Sequence, residues 1–429
     1  MRQRRFKAAA LPQLVLFVLG LLLLGAVAAH AEGAMSYIDR RVSAIPAERL
    51  LSADPNALVD RPRAAIARTY GLYRRPLFVV WALSAIFAYF YLWRSGNAAR
   101  LRDALRRKIR SPFALRFVFG AILAMYGALA ALPASLAMYR VAFVFDQLSE
   151  PFGLWLRDGA VRLAFDALAV GFVVACVLTL VDLTRQWWIY ATLGLFVLSI
   201  VFSLVEPVGI DAFYGSAGAR PLSASSPQLA ASLQGPARKL GLRNVKVEVV
   251  DASRRTAVGN ATVVGAGPSG RVAVTHSLLA SATPDEARYA IVRELVKLQR
   301  FAGLRLALLG TLLFIACIAL GVVVSDRIGF RRDDDPLARL ALVFALACAF
   351  ALFAYPIYNG YSRRVERQAD FAALALTGNP AEAIRHDVRF SEERFLPVCP
   401  RGITRFYFYD FDPLGTRAAA VTKRADPCP

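Results

Sequence analysis

Histidine is the side chain most often used to move protons or hold transition metals near neutral pH. It occurs three times in 429 residues, as His30, His276 and His386. The five cysteines contain no C-x-x-C pair, so no cysteine zinc site is suggested. Cys176, Cys317 and Cys348 lie in apolar runs, where a free thiol is a small hydrophobe, while Cys399 and Cys428 lie in the polar C-terminal tail. Two charged helices remain. Arg293-Glu294-Leu295-Val296-Lys297 places two cations four residues apart, on one helix face, beside a carboxylate. Taken alone it reads as a solvated basic face, with like charges at i and i+4 unfavourable by about 0.2–0.5 kcal/mol. Ser362-Arg363-Arg364-Val365-Glu366-Arg367-Gln368-Ala369-Asp370 carries two carboxylates four apart among arginines, where ordinary surface salt bridging is the plain reading. Gly265, Gly267, Pro268 and Gly270 superficially match a phosphate loop, but no G-K-[ST] follows and both flanks are strand-like, so they read as turn residues.

The elements that must position these residues are mixed in character. Thr283-Pro284-Asp285-Glu286 is a strong helix start, with a capping threonine, proline at the first helical position and glutamate at the third. Upstream, the pattern predicts a helix near Pro227–Leu240, a strand at Val245–Val250, and a hairpin from Ala261–Val264 to Arg271–Thr275. Around these pieces the chain is apolar, with 57% hydrophobic residues and a mean hydropathy of +0.46. The runs Pro76–Trp93, Phe117–Tyr139, Leu163–Val181, Trp187–Val205, Leu306–Ser325 and Leu340–Tyr358 each suit a bilayer-crossing helix. Trp81, Trp93, Trp187 and Trp188 fall near run ends, as interfacial aromatics do, and Asp166 reads as a residue near an aqueous end. Ahead of them MRQRRFK, the run Leu11–Ala29 and Ala29-His30-Ala31 fit either a cleaved signal or a first span. The chain is therefore expected to cross the bilayer about seven times.

The net charge of +21 points to basic cytoplasmic loops and contact with anionic lipid. No basic stripe interleaved with aromatics and no recognition motif accompanies it, which argues against nucleic acid. The loop Arg94–Ser111 holds seven basic residues and Arg140–Asp158 holds two, so the positive-inside rule puts the former in the cytoplasm. Counting crossings then places 206–305 and 359–429 on the outer, periplasm-like side. The basic stretch Glu32–Arg75 counts against this, with less weight because it is long. In an oxidising compartment Cys399 and Cys428 could pair.

The order of motifs is specific. VDASRR at 250–255 is followed by NATVVGAGPSGRVAVTHSLL at 260–279, the capped helix, two spans, SRRVERQAD at 362–370 and YDFDPLGTR at 409–417. This resembles the type 1 CAAX prenyl endopeptidase family of membrane zinc metalloproteases, over roughly Leu51 to Lys423. The resemblance implies an H-E-x-x-H zinc helix, a third ligand from the later S-R-x-x-E-x-x-A-D helix, and a late histidine-plus-arginine element for the substrate carbonyl. It assigns the two histidine positions to Arg293 and Lys297, the base to Glu294, the third ligand to Glu366 with Asp370 behind it, the late histidine to Phe411 and the late arginine to Arg417. Protonated guanidinium and ammonium groups offer no lone pair to zinc, and one carboxylate cannot hold a catalytic zinc that uses three protein ligands. The family's substrate edge strand corresponds to Asn260, Ala261, Thr262, Val263 and Val264, and an exposed edge can add a peptide without catalysis.

These readings set the expectations. The fold is an α-helical multi-pass membrane bundle with a small α+β metalloprotease-like lobe. Residues 1–31 form a signal-like first span, 32–75 a loop, 76–205 spans two to five, 206–300 the first half of the lobe, 301–358 spans six and seven, and 359–429 its second half. The expected function is a catalytically silent family member that binds a peptide or membrane-protein partner or regulates at the membrane. It needs no cofactor, with zinc only if the family activity survives. Alternatives are an active metalloendopeptidase with a different ligand set, His276 being the one histidine near the zinc helix in a preceding strand, and, third, a channel or transporter. The location is a bacterial inner membrane, with the lobe periplasmic. Two cations replacing a metal predict an ion pair from Arg293 or Lys297 to Glu366 within about 4 Å.

Overall fold

The structure is a computed structural model that describes residues 34–428 except 215–218, 243, 257 and 329–334. The expected first span, within residues 1–31, lies outside the described residues.

In chain order the helices begin with α1 (Ala34–Ser43), α2 (Ala47–Ser52), α3 (Pro55–Leu58), α4 (Arg61–Arg94), α5 (Asn97–Lys108), α6 (Pro112–Val144), α7 (Phe152–Leu183) and α8 (Trp187–Tyr214). The lobe follows with β1 (Arg220–Pro221), α9 (Leu222–Ser225), α10 (Pro227–Lys239), β2 (Lys246–Val250), β3 (Ala261–Val264), β4 (Arg271–Thr275), α11 (His276–Ser281) and α12 (Pro284–Gln299). The chain ends with α13 (Ala302–Arg327), α14 (Pro336–Thr377), α15 (Pro380–Glu393), α16 (Ile403–Phe408) and α17 (Leu414–Thr422).

Six of these, α4, α6, α7, α8, α13 and α14, are long and apolar enough to cross a membrane, with mean hydropathies from 1.7 to 2.8 over their most apolar stretches. Their starts follow from local chemistry. Asp60, Ser111 and Asp335 each cap a helix by accepting a backbone N–H, with proline in the first turn behind them. Large apolar side chains such as Leu193, Val197 and Phe353 are exposed on the bundle surface, as a lipid-facing wall requires. Between α6 and α7 the helices approach through glycine. A Cβ on Gly171 would lie 2.6 Å from the Phe117 carbonyl oxygen, and one on Gly120 would lie 2.9 Å from Val174 Cβ.

Two expectations are corrected. Residues 32–75 are not simply a loop: from Ala34 they form α1 to α3 and the first turns of α4. Ile38, Val42, Leu50 and Leu58 are buried against Ile384, Val388 and Leu414, so the segment straps the C-terminal part of the lobe. Two of its arginines, Arg41 and Arg63, serve that contact. Arg41 pairs with Glu392, and Arg63 donates to the Glu392 carbonyl at 2.9 Å and stacks 4.2 Å from the Phe395 ring centre. The basic Arg94–Ser111 stretch is likewise mostly helix, α5, with Arg102 buried.

Side-chain contacts show which connections share an end of the bundle. Arg106 meets Asp335 at 2.5 Å and Arg116 meets Asp182 at one end. At the other, Arg255 meets Asp158 at 2.9 Å and Gln147 donates to the Glu393 carbonyl at 2.6 Å, on the side of the lobe.

The sheet has the order β1-β2-β4-β3. The expected hairpin forms between β3 and β4, antiparallel with Ala261 opposite Val274, and β2 runs parallel to β4 on its other side. Gly265 (φ +77°) and Gly267 (φ +55°) make the turn, in the left-handed region that glycine tolerates. Val249, Val272 and Val274 pack with Tyr289, Ile291, Val292 and Leu295 of α12 and with Ala373 and Ala383, one core drawn from both halves of the lobe.

Candidate charge-filled site

Helix α12 starts as the sequence requires. Thr283 accepts the Glu286 N–H, and Glu286 accepts from the Thr283 N–H, completing the capping box. This fixes where α12 starts, and with its apolar face, Ile291, Val292 and Leu295, packed in the lobe core, Arg293, Glu294 and Lys297 meet Glu366 and Asp370 of α14. The Arg293 guanidinium donates through Nη2 to Glu366 and through Nε to Asp370, and Nη1 lies 3.3 Å from Glu294 Oε1. Lys297 Nζ lies 3.0 Å from the other Glu366 oxygen and 2.9 Å from Glu294 Oε1. Both basic groups therefore reach Glu366, as the charge-replacement reading predicts.

The cluster extends behind Asp370. Arg417 Nη2 donates to Asp370 Oδ1 at 2.9 Å and lies 2.8 Å from Asp387 Oδ1. Three cations, Arg293, Lys297 and Arg417, thus face four carboxyl groups, Glu294, Glu366, Asp370 and Asp387. Each side chain of the set is 18% exposed or less, so removing any one partner would strand a buried charge, which is costly. Burial opposes the charge on Arg293, but Glu366, Asp370 and Glu294 outweigh it and hold its pKa well above the ordinary value. For Lys297, burial is likewise outweighed, by Glu294 and Glu366, and its pKa is raised. Burial pushes Asp387 up to about 7 against the pull of Arg417.

Glu294 does not point into an open site. Its Oε2 accepts the backbone N–H of Val263, at 3.2 Å, and its side chain is 2% exposed. Two residues on, the Gly265 N–H donates to Glu206 Oε2 at 3.1 Å. Asn260 bonds the other way, into the sheet, through its N–H to Thr275 Oγ1 at 2.8 Å. Strand β3, with Ala261, Thr262, Val263 and Val264, is the sheet's edge, and carboxylates already occupy two of its edge-facing donors.

The zinc implied by the resemblance does not fit these residues. Both oxygens of Glu366 are engaged by Arg293 and Lys297, the cations at the positions that the resemblance assigns to the other two ligands. Among the described residues, no group of three or more His, Cys, Asp or Glu could hold a metal ion. His276 is not within a strand: it opens α11 on the exposed side. His386 is buried beside Tyr289, ring centres 5.8 Å apart; burial, reinforced by Arg417 and Arg293, drives its pKa far below the ordinary value, leaving the ring neutral. Phe411 packs edge-on to Phe390 and against Tyr409.

Comparisons with known proteins agree with this architecture. The profile of Peptidase family M48 matches residues 223–424, and that of the CAAX prenyl protease N-terminal region, five membrane helices, matches 55–214. The chain belongs to peptidase family M48. Protease HtpX homolog 1 of Streptomyces coelicolor is 27% identical over 234 residues, 53% of this chain and 72% of that protein. The crystal structure of S. mikatae Ste24p superposes with a TM-score of 0.72 over 95% of this chain and 98% of that one; at 18% identity it speaks for the fold.

Within this M48 chain, sequence reading missed the α15 contribution. Asp387 completes the Arg417 pair, and Arg389 closes on Glu286 at 2.8 Å, wholly buried. The sequence IRHDVRFSEE looks like a solvated helix, and its only signal is the apolar pair Ile384 and Val388 in a helix otherwise too charged to bury. The strap α1 to α3 covers the side that would face water.

Proposed function

We propose that this chain is a catalytically silent M48 membrane protein that acts in peptide or protein binding, or in regulation, at the membrane. The observation that carries the reading is the double grip of Arg293 and Lys297 on Glu366, on the three positions that the resemblance assigns to zinc. A catalytic zinc takes three protein ligands and leaves one place for water. Here two of the three are cations, and the third is saturated by them. What survives is the binding surface. The edge β3, Ala261 to Val264, runs beside α12, and a peptide can add there by displacing Glu294.

The same reading divides the chain into a membrane bundle and one lobe built from 206–300 and 359–429. It places the lobe on the periplasmic side of a bacterial inner membrane. Two observations support that side. The arginine-rich α5 lies at the end away from the lobe. Cys399 and Cys428 form a disulfide within the lobe, the chemistry of an oxidising compartment.

The test is elemental analysis of the purified full chain together with a casein-cleavage assay with and without a chelator. The expected result is zinc at background and no chelator-sensitive cleavage. About one tightly held zinc per chain, with cleavage lost on its removal, would overturn the reading in favour of an active endopeptidase.

A further inference from the structure

At the end of the bundle away from the lobe, a cavity of about 500 Å³ opens between the α5–α6 connection, the end of α7 and the start of α14. Its polar rim carries Arg106, Arg110 and Arg116, and its wall is formed by Leu115, Leu178 and Val181. Two of the guanidiniums are fixed from one side. Arg106 Nη2 is held by Asp335 at 2.5 Å, and Arg116 is held by Asp182 and by Thr179 Oγ1 at 3.1 Å. Each keeps further N–H donors beyond those bonds, because a guanidinium has five. Arg110, at the mouth, is exposed and has no ion pair or hydrogen bond among the described residues. Three cations against two carboxylates leave the rim positive.

The place matters as much as the charge. Arg110 and Arg116 bracket the start of α6, where the bilayer-crossing run begins, so the rim lies at headgroup level. The wall descends from it along α7, where Val181 is 39% exposed. A soluble anion would find the guanidiniums but leave this apolar wall wet. A phospholipid satisfies both, with its phosphate on the rim and an acyl chain on Leu178 and Val181. We infer that this cavity is a binding site for an anionic glycerophospholipid, with Arg106, Arg110 and Arg116 receiving the headgroup phosphate and the α7 wall receiving the chain.

Native mass spectrometry of the full chain in neutral detergent, titrated with phosphatidylglycerol or phosphatidylcholine, tests it. The first phosphatidylglycerol should bind more tightly than phosphatidylcholine. Arg110→Ala removes a group with no described partner, so the fold is kept, and should weaken phosphatidylglycerol binding about fivefold. Arg106→Ala/Arg110→Ala should weaken it further, toward the phosphatidylcholine level. Arg100→Ala/Arg107→Ala, on the same helix but outside the cavity lining, should leave it within about twofold. Equal binding of the two lipids would overturn the site. So would an equal loss in the Arg100/Arg107 pair, which would mean diffuse surface charge. Full displacement of the lipid by millimolar inorganic phosphate would overturn the lipid as occupant.

Discussion

Glu294 Oε2 accepts the backbone N–H of Val263 at 3.2 Å, joining α12 to the edge strand it lies beneath. Glu294 stands where the resemblance puts a general base, yet its carboxylate is held between two cations and a strand amide. It acts as a cap on the sheet edge. An edge N–H bonded to a buried carboxylate exchanges slowly, and a charge-assisted bond is worth about 1.5–3 kcal/mol. We expect Glu294→Ala to speed hydrogen exchange at the Val263 amide by about 10- to 100-fold. Glu294→Gln, which keeps an acceptor oxygen, should speed it less. Unchanged exchange in the alanine variant would show that the bond is not made in solution.

The Glu366 carboxylate is the centre of the network. Removing it leaves Arg293 with Asp370 and Glu294, and leaves Lys297 with Glu294 alone. Cutting one partner from a buried pair costs about 3–5 kcal/mol because it strands a charge. The remaining partners put Glu366→Ala toward the lower end, roughly 3 kcal/mol. Thermal melting of the full chain in detergent should show the loss. A change within the roughly 0–1 kcal/mol of an exposed pair would mean that water reaches the site.

Much of this was legible in the sequence because its signals are strong and local. The bilayer runs, the capping box at Thr283 and the β3–β4 hairpin are each written in adjacent residues, and six of the expected spans fall on the helices found. The pairing of Arg293 and Lys297 with Glu366 needed more, because helix spacing fixes which residues share a face but not which face of another helix they meet. The motif order supplied that. The strap was not legible. Arg40, Arg41 and Arg49 read as a basic loop, and the apolar residues Ile38, Val42, Leu50 and Leu58 are too sparse to name a partner more than 300 residues away. Asp387 was hidden for the same reason, since its partner Arg417 lies on α17, a separate helix whose contact with α15 no local pattern announces.

Asp387 and Glu393 set a pH dependence. Burial raises Asp387 from an ordinary 3.8 to about 7 and Glu393 from 4.5 to about 8. Between those values the folded chain binds more protons than the unfolded one. Their contribution to stability is therefore complete below pH about 4, and it is lost as the pH rises through about 7 and 8. We expect the lobe to melt higher at pH 5.5 than at pH 8.5. In Asp387→Asn the difference should shrink, by at most roughly 2 kcal/mol, since only the part of its shift between pH 5.5 and about 7 lies in that window. A variant with the same pH dependence as the parent would remove Asp387 from the account.

The disulfide reports the side of the membrane. Cys399 and Cys428 are joined in the lobe, while Cys176, Cys317 and Cys348 are free and lie on the bundle helices α7, α13 and α14. If the lobe is periplasmic, a maleimide added to denatured, unreduced protein should label three cysteines per chain, and five after reduction. Five labelled without reduction, together with an alkaline phosphatase fusion at the C-terminus that is inactive, would put the lobe in the cytoplasm.

The strongest test of the frame is to build the zinc ligand set that the resemblance assigns to the cluster. Positions 293 and 297 are one helical turn apart on α12, and both oxygens of Glu366 already face them, one from Lys297 Nζ at 3.0 Å and one from Arg293. Imidazoles at i and i+4 with a carboxylate from a second helix are a zinc ligand set. Arg293→His/Lys297→His removes two positive charges from the cluster, and a zinc ion returns two, so the carboxylates stay balanced. Without metal the double variant should be destabilised, because Glu366 is left without its buried partners. With zinc at 100 times its dissociation constant it should regain about 2.7 kcal/mol by linkage. We expect about one zinc per chain by elemental analysis, none for either single variant, and none when Glu366→Ala is added to the pair. A double variant that keeps its helical content and binds no zinc would show that α12 and α14 do not hold the geometry that the cluster implies.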